Sequence, residues 1–253
     1  MTPIQRDTLR KQAEREQGQA IAPALQPLDR AMRYKLGADR ARLKKIASMQ
    51  RKAEVKAELL PDYLPYLEGM MAVGRGDEVL TQVMIWAFDA EQMDVFDRLA
   101  RYALDNGIAM PTEFARPLGS WLAESVAKWT LRQIEAPTAS PNAVALNPFA
   151  LWLDEQTAHM DMHDEVRAKL KRVCGDLLAN SHPAAALDYF EEAIRLDPHI
   201  RIKKRMTALR EQLATTESPT SQGQAAAGAT VNVTTTPPRP LQFDPSLAVL
   251  MEH

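Results

Sequence analysis

Two histidines and an aspartate in the C-terminal half have the types and spacing that could support chemistry. His159 and His163 are four residues apart, with Asp161 between them. Residues four apart on a helix share one face, an arrangement in which paired histidines often bind a metal ion. A metal-dependent nuclease using these three residues is therefore one hypothesis. The structural alternative is that the segment spans a helix boundary, where Asp161 or Asp164 caps the following helix.

Other sequence motifs give little indication of catalysis. The sequence contains no glycine-rich phosphate loop, no nucleophile elbow and no paired cysteine motif. The acids in 77–97 are spaced like a solvent-exposed face rather than a two-metal site. We therefore predict no catalytic residue, no metal ligand and no cofactor. The single cysteine, Cys174, lies in an apolar helical stripe and is interpreted as a small core residue.

Charge is strongly segregated along the chain. The formal net charge is only −2, yet the 27-residue segment 30–56 contains ten lysines and arginines and two acids. In 61–110 the balance reverses to nine acids and three arginines. Because the basic segment has few acids for i,i+4 pairs, it favours binding to a polyanion over a solvated charged face.

Duplex DNA is the polyanion that this segment favours. Tyr34 is its only aromatic residue, so base stacking along a single strand is not indicated. Contacts to the phosphates of duplex DNA are the better interpretation. The predicted DNA-binding residues are Arg33, Lys35, Arg40, Arg42, Lys44, Lys45, Arg51, Lys52 and Lys56.

The elements that carry these residues are predicted to be helical. Strand signals are scarce, and alanine, leucine, arginine, glutamate, glutamine and methionine dominate, so we predict an all-α fold. One long helix, or two pieces broken near Gly37, is expected over 28–57. Asp77 is predicted to cap a helix over 78–89, and Gly107 to end a helix over 91–106. Apolar spacing places Met93, Phe96, Leu99, Ala100, Ala103 and Leu104 on the inward face of the latter helix. Further helices are expected over 149–160, from Asp164, and over 200–214.

Residues 59–76 are predicted to form a hinge between the basic segment and an acidic, apolar core. The segment contains two prolines and three glycines, namely Pro61, Pro65, Gly69, Gly74 and Gly76. Prolines interrupt helices and glycines permit turns, so this segment would set how the basic helices project from the core.

We predict four regions. Residues 1–57 form a basic helical DNA-binding arm, and 58–135 a helical oligomerisation core. Residues 136–214 form a C-terminal helical region, in which 184–198 is similar to the second helix of a tetratricopeptide unit. Residues 215–253 form a disordered tail, because only four of its 39 residues are charged and large apolar residues are few. The tail ends in an apolar motif predicted to dock a partner, comprising Leu247, Val249, Leu250 and Met251.

The chain lacks an apolar run long enough to cross a membrane, and residues 1–20 do not resemble a signal peptide. We expect no membrane association and a soluble, intracellular protein.

Short motifs occur in a fixed order along the chain. They are Glu58-Leu-Leu-Pro with a following Leu-Pro, Gly74-Arg-Gly, Val83-Met-Ile-Trp86, Ala100-Arg-Tyr-Ala-Leu104, Met110-Pro111, Asp164-Glu-Val-Arg-Ala-Lys-Leu170, the segment 193–197 and Lys203-Lys204. In this order and spacing they resemble the small terminase subunit of temperate, contractile-tailed phages with cohesive-end genomes. The resemblance covers about residues 28–213, although the tail lacks the basic character that is common in this family.

The resemblance implies a role in viral DNA packaging in the host cytoplasm. Such a subunit would recognise the cohesive-end site on concatemeric viral DNA and present it to the large ATPase–nuclease subunit. It implies a homo-oligomer, which we expect to be a ring with the basic arms projecting from it. The family is also traditionally labelled the endonuclease subunit, so the nuclease hypothesis stays open beside a tetratricopeptide-like interaction module.

Overall fold

The computed structural model describes residues 26–135 and 147–216. Within these ranges the chain forms nine helices and no strand, which confirms the predicted all-α class. The helices are α1 (Gln26–Lys44), α2 (Met49–Ala72), α3 (Glu78–Asp89), α4 (Met93–Asp105), α5 (Leu118–Glu135), α6 (Asn147–Thr157), α7 (Asp164–Leu178), α8 (Pro183–Leu196) and α9 (Lys203–Thr216). None of these helices is long and apolar enough to cross a membrane.

The first two helices form an antiparallel hairpin. Asp29, near the start of α1, contacts Tyr66 late in α2, whereas Arg42, near the end of α1, pairs with Glu58 earlier in α2. The helices are joined by residues 45–48, and the side chain of Ser48 accepts a hydrogen bond of 3.2 Å from the backbone N–H of Arg51. This N-cap begins α2 and fixes the turn of the hairpin.

The predicted hinge at Pro61 and Pro65 is wrong, and so are both alternatives for 28–57, because two helices are present and the break between them lies at 45–48 rather than near Gly37. Gly37 lies inside α1, and α2 runs unbroken through Pro61 and Pro65. Both prolines are exposed, so water can satisfy the two carbonyls that lose their amide donors. The prolines are not part of the apolar face of α2, which packs into the core through buried residues such as Leu59 and Leu67. Packing of that face outweighs the helix-breaking tendency of proline.

The sequence predicted the ends of α3 and α4 correctly. Asp77 caps α3, accepting a hydrogen bond of 3.0 Å from the N–H of Val79. Gly107, with φ of 61°, follows the C-cap of α4 in the left-handed conformation that favours glycine. The cap of α7 differs from the expectation, because His163 is the N-cap and Asp164 is already the first helical residue.

Helix α3 is the central element of the larger of two apolar clusters. All its residues from Val79 to Phe88 are buried, not only those of one face. The cluster joins side chains from α1 to α7, including Leu36 of α1, Leu67 of α2 and Phe96 of α4. The basic hairpin is therefore packed directly onto the acidic helices that follow it.

The smaller cluster joins α7, α8 and α9 around Phe190. α7 and α8 form a helical hairpin with a connection of four residues, 179–182. They approach closely at Gly175, where an added Cβ would come within 2.6 Å of the Phe190 ring. The described residues up to Thr215 form one compact unit.

Candidate nucleic-acid interface

The α1–α2 hairpin carries all nine basic residues that were predicted to contact DNA. They lie on α1, at its end, and on the first two turns of α2. Six of them form ion pairs with carboxylates of the same chain, and three have no ion-pair partner in 26–135 or 147–216. The six paired residues are Arg33, Lys35, Arg40, Arg42, Arg51 and Lys56.

Arg33 and Lys35 lie where α1 meets α2 and the cap of α3. The Arg33 guanidinium is 3.1 Å from Asp29 and 2.5 Å from Asp77. The Lys35 ammonium is 2.7 Å from Asp39 and 3.0 Å from Asp62. These contacts hold α1 in place, so both cations have a structural role.

Arg40 ties α1 to α3 and to the segment before α5. Its guanidinium is 2.8 Å from Glu78 and 3.0 Å from Glu113, and its Nε donates a hydrogen bond of 3.0 Å to Gln82. Arg40 is thus saturated by acceptors from two other segments.

The remaining three paired cations lie in the half of the hairpin that is nearer its turn. Arg42 lies 3.8 Å from Glu58, and Arg51 lies 2.9 Å from Glu54 on the same helix. Lys56 pairs with Asp89 at the end of α3. The sequence did not indicate which acids these cations pair with, and of the three partners only Asp89 belongs to the acidic segment 61–110.

The three lysines without a partner lie at the turn of the hairpin. They are Lys44, the last residue of α1, Lys45 in the connection, and Lys52 in the first turn of α2. Lys44 and Lys45 are exposed, and Lys52 is half-buried. The three of the nine predicted contacts that lack a carboxylate partner within 26–135 and 147–216 therefore lie together at this end of the hairpin, which we call the basic turn (residues 44–52).

A cleft of about 550 Å³ opens beside the basic turn, between α1, α2 and α3. Its basic lining residues are Arg40, Lys44, Lys52 and Lys56, and its apolar ones are Leu43, Ile85, Trp86 and Phe114. Asp89 and Glu113 also line it and pair with Lys56 and Arg40. Lys44 and Lys52 are then the lining charges without a partner among the residues that the structure describes, so the cleft favours an anionic group.

Burial changes the ionisation of the groups that anchor the hairpin. Burial raises the pKa of Asp77, although Arg33 and the N–H of Val79 act in the opposite direction. Burial also raises the pKa values of Tyr63 and Tyr66, and the carboxylates of Asp39 and Asp29 add to the effect. Both tyrosines therefore stay protonated and act as hydrogen-bond donors at neutral pH.

Lys35 remains a cation in this environment. Burial lowers the pKa of Lys35, but its bonds to Asp39 and Asp62 outweigh that effect and raise the pKa overall. The ring of Tyr63 lies beneath its ammonium, 4.8 Å from nitrogen to ring centre.

The histidine pair does not have the geometry on which the nuclease hypothesis rests. Helix α6 ends at Thr157, so His159, Asp161 and His163 lie in the connection to α7 and share no helix face. Across the two described ranges, no group of three histidine, cysteine, aspartate or glutamate side chains is arranged to hold a metal ion. Cys174 is buried in the core, as predicted.

Comparison with known proteins gives the family. The family model described as "Phage small terminase subunit" matches residues 33–165, just over half of the chain. The chain belongs to the phage small terminase subunit family. The matched segment contains all nine predicted DNA contacts, the basic turn and the cleft, so the candidate interface lies in the family's common region.

A relative of this small terminase subunit extends the similarity beyond the matched segment. The protein named "Terminase, endonuclease subunit" of Escherichia phage P2 is 34% identical over 216 residues, covering 84% of this chain and 85% of that protein. No solved structure matches the chain. The predicted docking residues, Leu247, Val249, Leu250 and Met251, lie outside the described residues.

Proposed function

We propose that this small terminase subunit binds the packaging site on concatemeric viral DNA and passes that DNA to the large ATPase–nuclease subunit. Family membership supports a role in phage DNA packaging. The observation that carries the DNA-binding part is the basic turn, where Lys44, Lys45 and Lys52 have no acidic partner in the described part of the chain. Phosphates would supply the missing negative charge.

The six paired cations have a different role in this proposal. Their carboxylate partners are on α1, α2, α3 and the segment before α5, so they fix the hairpin that presents the basic turn. They contact DNA only if phosphates displace those carboxylates. The strongest phosphate contacts are therefore assigned to Lys44, Lys45 and Lys52.

The test is binding of duplex DNA by a variant with Lys44→Ala, Lys45→Ala and Lys52→Ala together. Affinity at about 0.1 M salt should fall by at least roughly tenfold, and the wild-type log–log salt slope should be about −3 for three contacts. Six contacts would instead give a slope of about −5. A matched control removes the same charge from α7 and α9, as Lys169→Ala, Lys203→Ala and Lys204→Ala. Equal losses in both variants, or a flat salt dependence, would contradict the proposal.

We propose that strand cleavage belongs to the large subunit, although the name of the P2 relative includes the word endonuclease. The separation of His159, Asp161 and His163 from any common helix face supports this assignment. Purified protein should leave supercoiled plasmid intact in Mg²⁺ or Mn²⁺ when the large subunit is omitted. Nicking that is lost on His159→Ala and His163→Ala would establish the nuclease alternative.

We also propose that the subunit works as a homo-oligomer, in the form of a ring. Apolar residues of the predicted oligomerisation core, such as Leu60, Val83 and Leu99, are already buried within one chain. Contacts between copies would therefore use the outer faces of the helices. Native mass measurement with and without duplex DNA gives the subunit number, and a monomer under both conditions would contradict the ring.

A further inference from the structure

The outward face of α1 carries positive charge without any acid. Helix α1 contains two acidic residues, and both turn toward the protein. Asp29 is buried and accepts a hydrogen bond of 2.8 Å from Tyr66, and Asp39 accepts one of 2.7 Å from Tyr63. At 100° per residue, the opposite face carries Arg30 near its beginning and Lys45 just past its end.

Tyr34 lies at the centre of that outward face and is 82% exposed. Large apolar side chains are rarely so exposed without a partner, and Tyr34 is the most exposed of those in the described ranges. No ring or hydrogen-bond contact of Tyr34 occurs within this part of the chain. Its presence is therefore not explained by the packing of the hairpin.

The residues around Tyr34 leave the helix backbone open to close approach. Ala31, Gly37, Ala38 and Ala41 surround it, and all four are exposed. Gly37 is notable because an added Cβ would meet nothing within 4 Å. A glycine inside a helix costs roughly 1 kcal/mol relative to alanine, and neither the packing nor the backbone of α1 requires one here.

Basic residues border this face on both sides. Arg42 lies on one edge, and Lys44 lies on the other. A narrow face of small side chains between rows of cations is complementary to a groove between two phosphate strands. The major groove of B-DNA admits one α-helix.

We infer that the outward face of α1 enters the major groove of duplex DNA and reads its sequence. This inference rests on the proposed DNA-binding function and assigns a task to residues outside the basic turn. Tyr34 and Arg30 contact base edges, since a guanidinium can pair with guanine and a phenol hydroxyl both donates and accepts. The small residues let the helix reach that depth. Lys44 and Lys45 contact phosphates, and Arg42 does so where a phosphate displaces Glu58.

The experiment compares two duplexes, one selected by the wild-type protein from a random-sequence pool and one a scramble of that sequence. Tyr34→Ala and Arg30→Ala should each reduce the ratio of their affinities by about tenfold. The double variant Ala38→Leu with Ala41→Leu should also reduce it, because bulk keeps the helix out of the groove. Ala184→Leu with Ala185→Leu on exposed positions of α8 is the matched control and should leave the ratio unchanged.

The two proposals fail in different ways. Should the wild-type protein not bind duplex DNA, the proposed function itself is wrong. If it binds and the basic-turn variant is weaker on both duplexes, but the α1 variants keep the wild-type ratio, only the groove assignment is wrong. Selection of no preferred sequence by a wild-type protein that binds DNA would also overturn the groove assignment. Unchanged unfolding midpoints in the α1 variants exclude a folding defect as the cause of a lost ratio.

Discussion

The hydroxyl of Tyr66 donates a hydrogen bond of 2.8 Å to the carboxylate of Asp29 in the buried contact between α2 and α1. Asp29 is only 9% exposed, and its other oxygen accepts a hydrogen bond of 3.1 Å from Nε of Arg33. A carboxylate at such a position depends on these donors, because it has lost most of its water. The hydrogen bond between Tyr66 and Asp29 therefore holds α1 and α2 together at the end of the hairpin opposite the basic turn.

Tyr66→Phe should lower the free energy of unfolding by about 1–3 kcal/mol, since it leaves a buried acceptor without its donor. Urea denaturation followed by circular dichroism measures the change. Tyr34→Phe removes the same hydroxyl from an exposed site and should change stability by less than about 0.5 kcal/mol. Similar effects of the two substitutions would show that the Tyr66 bond does not stabilise the hairpin.

Two glycine substitutions should have opposite signs. Gly37→Ala adds a methyl group to an exposed helical site with free space and should raise the free energy of unfolding by roughly 0.5–1 kcal/mol. Gly175→Ala forces a Cβ against the ring of Phe190 and the carbonyl oxygen of Ala186, and should lower it by about 1–3 kcal/mol. Thermal unfolding of both variants provides the measurement. A stabilising Gly175→Ala would contradict the close packing of α7 against α8.

Cys174 should react slowly with thiol reagents in the native protein. Its side chain is fully buried, and burial raises the pKa of the thiol, with the charge of Asp154 adding to the shift. Labelling with a chromogenic disulfide should become rapid only in denaturant. Fast native labelling would mean that the contact between α6 and α7 opens readily, because Cys174 lies 3.6 Å from the carbonyl oxygen of Ala150 across it.

Asp176 makes folding stability depend on pH. Its side chain is 0% exposed, with Nε of Arg205 at 3.0 Å and Nε of Arg172 at 3.6 Å. Burial raises the pKa of Asp176 more than these cations lower it, and Glu135 also contributes to the rise. Its contribution to stability is therefore fully present below the unfolded pKa of about 3.9 and is lost as pH increases through the raised folded value.

Asp176→Asn should remove that component of the pH dependence. The variant should lose less stability than the wild type as the pH increases from about 4 toward neutrality, and at neutral pH it should be nearly as stable or more so. Urea denaturation across this range tests the slope. Glu191→Gln, which removes one partner of an exposed pair with Arg210, is the control and should leave the slope unchanged. A steeper decline in Asp176→Asn would show that the ion pairs outweigh burial.

Local signals in the sequence predicted helix ends and faces well. The Asp77 cap and the Gly107 stop follow from the chemistry of single residues, so no tertiary information was needed. The inward face of α4 was also predicted, since its buried residues Met93, Phe96 and Leu99 recur at helical spacing. Only Leu104, at the edge of that face, is partly rather than fully buried.

Features that depend on tertiary partners could not be predicted in this way. Pro61 and Pro65 indicated a hinge, but the burial of neighbouring apolar residues keeps α2 continuous. Charge counting could not distinguish Arg40, whose partners are 38 and 73 positions away, from the unpaired Lys44. In the candidate site, the basic segment could therefore be predicted from the sequence. Which of its cations are paired depends on how α1 packs against α2, α3 and the segment before α5.

The ion pairs along the hairpin have a consequence for discrimination between DNA sequences. Three cations of the hairpin are paired with carboxylates of the same chain, those of Glu78, Asp89 and Asp77. Without these carboxylates the cations would be available to the phosphates of any duplex. If the hairpin binds DNA as proposed, these carboxylates compete with phosphates and suppress background binding to the large excess of unrelated sites. Neutralising Glu78 or Asp89 would then increase affinity for all duplex sequences and reduce the preference for the packaging site. The higher affinity would slow the location of one site in a long concatemer.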